Sequence, residues 1–209
     1  PIGNLDDISL RAIHILKNVT FIACEDTRQT KKLISKFGIS NKLISFHQHN
    51  SINKIPFIVD SLKEQKSVAL VSDAGMPSIC DPGENLIQKV RENNIDVICI
   101  PGPCAAITAL VSSGFKSSSF IFLGFLPKKK KERDEILLKI SNFDKTTILY
   151  ESPHRFKKLL VELKIFCGGN REIQVFRELT KKYEEQIGVT IDMVISHFED
   201  KNIIGEITI

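Results

Sequence analysis

The sequence predicts an α/β protein of two αβα domains, the first with a mostly parallel sheet and the second with a mixed one. Three observations lead there. Short β-rich runs alternate with segments of helical period along most of the 209 residues. The run SVALVS at 67–72 is nearly continuously apolar, as a strand covered on both faces should be. Glycines, prolines and charged residues collect just after strand upon strand, at one end of both expected sheets.

In order, residues 8–17 (ISLRAIHILK) carry apolar residues at helical spacing, with Asp6 or Asp7 placed to cap. VTFIAC at 19–24 is a short strand, and TRQTKKLISKF a helix stopped by Gly38. KLISF at 42–46 is a strand. Asn50 or Ser51 caps a helix reaching about Glu64, with Pro56 in its first turns. After the strand SVALVS comes a helix from about Glu84 to Asn93, then the strand DVICI at 96–100. PGPCAAITALVSSG reads as a loop, an Ala-rich helix and a stop at Gly114. Strands joined through helices imply right-handed crossovers and a parallel sheet. The polar break KSSS at 116–119 is the expected boundary, dividing domains 1–115 and 116–209. Beyond it FIFLGF, TTILYE, EIQVFRE and the terminal IIGEITI read as strands. ERDEILLKI, RFKKLLVEL and IDMVISHF read as helices.

Composition narrows the function classes. The chain is 42% hydrophobic, with a mean hydropathy of −0.02, which suits a soluble protein that buries a real core. No apolar run reaches the ~18 residues of a membrane span, and no signal peptide is visible, so a cytoplasmic protein is expected. A start at Pro1 rather than Met implies residues before it. The five cysteines form no CxxC pair and read as reduced, mostly buried thiols. Only His47 and His49 stand close among the histidines, so no metal site is expected. A net charge of +4 permits an RNA partner without demanding one. The absence of GxGxxG, GxxxxGK[ST] and GxSxG argues against a dinucleotide site, a P-loop and a triad hydrolase.

The loops after the strands carry the chemistry. They are EDTR (25–28), DAGMPSICDPG (73–83), PGPCAA (101–106), LPKKKKER (126–133), ESPHR (151–155) and RELTK (177–181). Gly75 and Gly83 let backbone approach a ligand closely or take positive φ, while Pro77 and Pro82 stiffen the loop. Asp73 and Asp81 can accept from backbone N–H groups or from a ligand. An Asx-turn loop with structural aspartates is the alternative. PGPCAA is either a tight turn into a helix or a close wall for a ring. KKKKER is either a solvated helix start or a contact for nucleic-acid backbone.

PIGNLDDISLRA, ACEDTR, ALVSDAGMPSICDPG, PGPCAAITAL, SGF, GFLP, YESPHR and RELTKKYEE stand in this order along nearly the whole chain. Together they resemble the tetrapyrrole-methylase-like class III S-adenosylmethionine methyltransferases, and within them the ribosomal RNA small subunit methyltransferase I family. SDAGMP, DPG and PGP are shared in outline by the wider group. EDTR, YESPHR and RELTK are more specific to its RNA-modifying branch.

The resemblance implies a methyl donor, S-adenosylmethionine, held in a cleft between two α/β domains of a homodimer. It implies 2′-O-methylation of a cytidine in the decoding region of 16S rRNA (cytidine 1402 in the usual numbering), within an assembled small subunit. Donor contacts are expected at Gly3, Ser72, Asp73, Ala74, Gly75, Pro77, Asp81, Pro101, Gly102, Pro103 and Ala105, and at Tyr150, Glu151, Ser152, Arg177 and Leu179. Glu178, Lys181, Glu25 and Asp26 are the candidates for moving the ribose proton. Arg28, Lys128, Lys129, Lys130, Lys131, Arg133 and Arg155 are expected to meet RNA phosphates. With no Trp and two Tyr, recognition should rest on shape rather than base stacking. The competing readings are methylation of a tetrapyrrole precursor and a noncatalytic RNA-binding assembly factor.

Overall fold

A computed structural model describes residues 1–209. The chain folds into two compact units, Pro1–Cys104 and Ala105–Ile209.

The first unit opens with a 3-10 turn at Leu5–Asp7 and α1 at Leu10–Asn18. Ser9, not Asp6 or Asp7, caps α1: its hydroxyl accepts from the Ala12 N–H, while the aspartates are taken up in the turn before it. Then follow β1 (Phe21–Cys24), α2 (Thr27–Lys36), β2 (Leu43–Ser45), α3 (Ser51–Lys63), β3 (Val68–Val71) and α4 (Glu84–Glu92). The strands form a parallel sheet in the order β2-β1-β3. The central strand β1 is buried on both faces because its residues alternate between two cores. Phe21 and Ala23 join Phe46, Ile58, Leu86 and Val90 on one side, and Ile22 and Cys24 join Leu16, Ile34 and Ile39 on the other.

DVICI does not become a strand. Residues 96–100 make no ladder, Ile98 is 71% exposed, and β3 pairs with β1 alone. A β-rich run becomes a strand only when its N–H and C=O groups find a neighbour, and this one finds none.

The second unit holds α5 (Ala105–Ser113), β4 (Phe120–Phe125), α6 (Lys130–Asn142), β5 (Thr146–Glu151) and α7 (Pro153–Cys167). It closes with β6 (Glu172–Arg177), β7 (Glu185–Thr190), α8 (Ile191–Phe198) and β8 (Ile207–Thr208). The sheet order is β4-β5-β8-β6-β7, with β4 and β5 parallel and the other pairs antiparallel. The carboxyl ends of β4, β5 and β6 therefore share one edge, where β8 begins. One core, with Leu137, Phe156, Leu159, Val194 and Phe198 at its centre, lies beneath α6, α7 and α8.

The break KSSS lies inside the second unit, because α5 packs on β5 and β8 and so divides from the first unit at Cys104. The strand β7 carries no clear alternation in EQIGVT. It forms because β6 supplies a full antiparallel partner, with Gly188 leaving room for the Gln174 side chain opposite. The thiols are less buried than expected: Cys24 is buried, Cys104 and Cys167 are half-buried, and Cys80 and Cys99 are exposed. No helix is long and apolar enough to cross a membrane.

Candidate functional site

In the first unit, parallel pairing with β1 in the centre sets Glu25 between the loops that follow β2 and β3. The Asp73 carboxylate accepts the Asp26 N–H at 3.0 Å, tying two of these loops together. Asp26 itself caps α2, accepting the Arg28 N–H, and binds the Arg28 guanidinium at 2.7 Å. Those bonds from Arg28 hold the Asp26 carboxyl down at about 2. Arg28 is 86% exposed beyond that pair and stays open to a phosphate. Glu25 is opposite in character. Burial, and then the nearby Asp73 charge, push its carboxyl up from the usual range.

The SDAGMPSICDPG loop is bent by positive φ at Gly75, Ser78, Cys80 and Gly83. Two of these are not glycine, so the loop carries strain of the kind found at ligand sites, roughly 1–3 kcal/mol per residue. Gly83 is required by packing: a Cβ there would lie 2.3 Å from the Ser78 hydroxyl oxygen. Ser72 is buried and its hydroxyl faces the Ala74 and Gly75 carbonyls at 3.4 Å, so it shapes the loop from within. The Gly75 N–H donates to the Pro1 carbonyl at 2.8 Å. A Cβ on Gly75 would sit 3.4 Å from both the Ile2 side chain and the Pro103 carbonyl oxygen. Gly75 thus meets residues 1–2 and Pro103, through two backbone carbonyls and the Ile2 side chain. Around Gly102 a Cβ would meet nothing within 4 Å. An open, backbone-lined wall of this sort suits a flat nucleoside, and the residues present fit a methyl donor of that kind. Gly3, Pro101 and Gly102 are exposed, Ala74, Pro77 and Asp81 partly so.

In the second unit, the carboxyl end of β5 is built around a buried carboxylate. Glu151 has no exposed side-chain surface. It accepts from the Ser152 N–H at 2.8 Å, from Arg155 at 2.6 Å and from Arg133 at 3.3 Å. Arg133 is 5% exposed and also binds Glu162 at 2.7 Å. It is therefore not a free RNA-facing cation: its turn of α6 points into the unit, where two carboxylates neutralise it. Arg155 is partly exposed and also donates to the Leu126 carbonyl. The YESPHR motif is thus largely a scaffold. Lys128, Lys130 and Lys131 are exposed, and Lys129 is exposed but paired with Glu132 at 3.2 Å. The Tyr150 hydroxyl accepts the Ala106 N–H at 3.0 Å, so the first turn of α5, at Ala105, is joined to β5.

At the end of β6 the chain turns sharply. Glu178 and Thr180 hold φ of 54° and 65°. The Glu178 N–H donates to the Glu206 carbonyl at 2.9 Å, and the Thr180 N–H to the Glu184 carboxylate at 2.6 Å. Lys181 Nζ donates to Glu178 Oε1 and to Glu206 Oε2, both at 2.7 Å. Burial opposes the charge on both partners, yet these bonds prevail. Glu178 is held below the usual carboxylate range and Lys181 is pushed up. Lys181 is therefore a fixed ammonium. Arg177 is spent on Glu185 at 2.8 Å and on the Ile204 carbonyl, and Leu179 is buried beneath the turn.

Glu206 escapes a motif-based reading, and so does Glu185, which gathers Arg177, His197 and Lys201. The Gly-Glu pair at the start of the terminal strand is the only signal for the first. No group of three or more His, Cys, Asp or Glu side chains is arranged to hold a metal ion. A cavity of about 770 Å³ in the second unit, between β5, β6 and α5, is lined by none of the expected site residues. Of β5 and β6 it is mostly the amino-terminal halves that line it, and no residue of the turns described above does.

Residues 1–194 match the tetrapyrrole (corrin/porphyrin) methylases. The chain is 47% identical over 206 residues to the ribosomal RNA small subunit methyltransferase I of Halalkalibacterium halodurans, covering 99% of this chain and 71% of that one. It is 47% identical over 203 residues to the protein of the same name from Vibrio cholerae, with 97% and 70% covered. Among solved structures, a cobalamin biosynthetic cobalt precorrin-4 methyltransferase aligns with a TM-score of 0.71 at 16% identity, covering 99% of this chain and 89% of that one. Diphthine synthase aligns with a TM-score of 0.71 at 10% identity, covering 100% and 86%. These last two share the fold.

Proposed function

Because the chain belongs to the ribosomal RNA small subunit methyltransferase I family of the tetrapyrrole methylases, we propose that it methylates the ribose 2′-oxygen of a cytidine in the 16S rRNA decoding region, cytidine 1402 in the usual numbering. The donor is S-adenosylmethionine, which supplies an electrophilic methyl group on a sulfonium. The acceptor is rRNA within the small subunit, and the enzyme works as a cytoplasmic homodimer. The observation that carries the proposal is the match, over nearly the whole chain, to relatives bearing that name.

The chain's own residues divide the work. Gly75, Gly102 and Pro103 offer backbone to the donor, and the tie between Asp73 and Asp26 holds two loops in register. Positioning of this sort can supply much of the rate. A ribose hydroxyl must lose its proton as it is methylated. Lys181, held charged between two carboxylates, cannot accept it and acts as a hydrogen-bond donor and local positive charge. Glu25, with its raised carboxyl, is better matched to accept a proton near neutrality than Asp26, which is held at about 2. Arg28, Lys128, Lys130 and Lys131 bear exposed charge suited to RNA phosphates.

Mass mapping of ribose methylation in small-subunit rRNA from cells with and without the gene tests the reaction. One 2′-O-methyl group should vanish with the gene and return when purified protein, S-adenosylmethionine and unmodified subunits are combined. Identical maps, or transfer to a porphyrinoid precursor instead, would remove the proposal.

A further inference from the structure

Between Ile204 and Ile207 the chain enters β8 through Gly205 and Glu206, and this short turn lies directly against the Glu178 side chain. An ideal Cβ on Gly205 would fall 2.4 Å from Glu178 Cγ and 2.5 Å from Cδ and Oε1. Gly205 holds φ at +91°, which L-residues rarely adopt. The Glu178 carboxylate therefore occupies the space that any other residue at 205 would fill. Its position is then locked from the same turn. The Glu206 N–H donates to Glu178 Oε1 at 3.0 Å, and the Glu206 carbonyl accepts the Glu178 N–H at 2.9 Å. The Glu206 carboxylate takes a second hydrogen from Lys181 Nζ at 2.7 Å.

We propose that Gly205 and Glu206 are positioning residues for the Glu178–Lys181 pair, Gly205 by yielding the space for the carboxylate and Glu206 by fixing both partners. The catalytic part of this rests on the role given to Lys181 under Proposed function, with Glu178 as a carboxylate that holds it. A turn serving only to start β8 would need neither the missing Cβ beside Glu178 nor a bond from residue 206 to each member. The left-handed backbone at Glu178 has the same origin: two bonds to Glu206 hold it there against its strain.

The test uses Gly205→Ala and Glu206→Gln in the whole protein, alone and combined with Glu178→Ala. Methyl transfer to small subunits, donor affinity by calorimetry and thermal unfolding are measured together. Gly205→Ala should lower kcat by about tenfold or more with donor Kd within about twofold, and should lower kcat no further once Glu178 is Ala. The loss of Tm caused by the backbone at 205 should persist in both backgrounds. Equal loss of kcat with and without Glu178 would overturn the proposal. By NMR, the Lys181 ammonium should titrate lower in Glu206→Gln and the Glu178 carboxyl higher in Gly205→Ala. Unmoved titrations would overturn it too. If Glu178→Ala and Lys181→Ala were both fully active, the catalytic reading would fall, and the titrations would still decide whether residues 205 and 206 position the pair.

Discussion

The Asp73 carboxylate accepts the backbone N–H of Asp26 across 3.0 Å, so the loop after β3 is pinned to the loop after β1. A side chain placed by one strand thus controls the backbone placed by its neighbour. The bond is specific to this parallel pairing, in which Cys24 sits opposite Val71 and the two loops leave the sheet side by side.

Asp73→Ala should therefore act on loop geometry. A charge-assisted bond to an amide is worth about 1.5–3 kcal/mol, so donor affinity should fall by roughly tenfold or more. Calorimetry with S-adenosylmethionine measures this, and faster hydrogen exchange at Asp26 would locate the cause.

Gly75 is sensitive for two reasons, its φ of +79° and its contact with Ile2 and Pro103. Gly75→Ala should cost about 1–2 kcal/mol of stability from the left-handed backbone alone. Gly75→Val should in addition obstruct the bare backbone wall, and donor binding should be lost while the protein still folds. Unchanged donor affinity in both variants would exclude this loop from the donor site.

Arg133 and the lysines before it should separate cleanly. Arg133→Ala leaves the buried Glu151 with one partner fewer and Glu162 short of its guanidinium, a loss of about 3–5 kcal/mol by denaturant unfolding. Replacing Lys128, Lys130 and Lys131 by Gln should leave stability nearly intact. It should reduce the slope of log affinity for RNA against log salt by about 2. An unchanged slope would make these lysines plain solvated surface.

Glu185 links stability to acid. Burial opposes its charge, but bonds from His197, Arg177 and Lys201 hold its carboxyl at about 2, against 4.5 for a free glutamate. Its stabilising contribution is complete above about pH 4.5 and is lost as pH falls through about 2. Unfolding free energy should decline across that window, and Glu185→Gln should flatten the decline. Denaturant titrations at pH 6, 4 and 3 would show it, with equal slopes in both proteins counting against the assignment.

Much of the architecture, and the loops that make up the candidate site, were legible in the residues alone. The alternation of apolar strands with helical runs identified β1 to β3 and most of the second unit, because burial on both faces demands it. The clustering of glycine, proline and charge after strands pointed to the carboxyl ends of the sheet as the place for a site, because backbone released from the ladder there can meet a ligand. Asp26, two residues beyond β1, and Arg28, four beyond it, stood out in the sequence as a proton-moving candidate and a phosphate contact, but their pairing at the start of α2 is seen only in the structure. Tertiary structure decided the rest, through partners far apart in sequence. DVICI has the composition of a strand and no neighbour to pair with, while EQIGVT has little of it and is a strand because β6 lies beside it. Arg133 stands in a run of basic residues, yet Glu151 and Glu162 draw it into the interior. Lys181 is a fixed cation only because Glu206, 25 residues on, returns beside β6. A periodic pattern reports which residues must avoid water; which charges meet one another depends on how the strands are ordered, and that is a property of the folded chain.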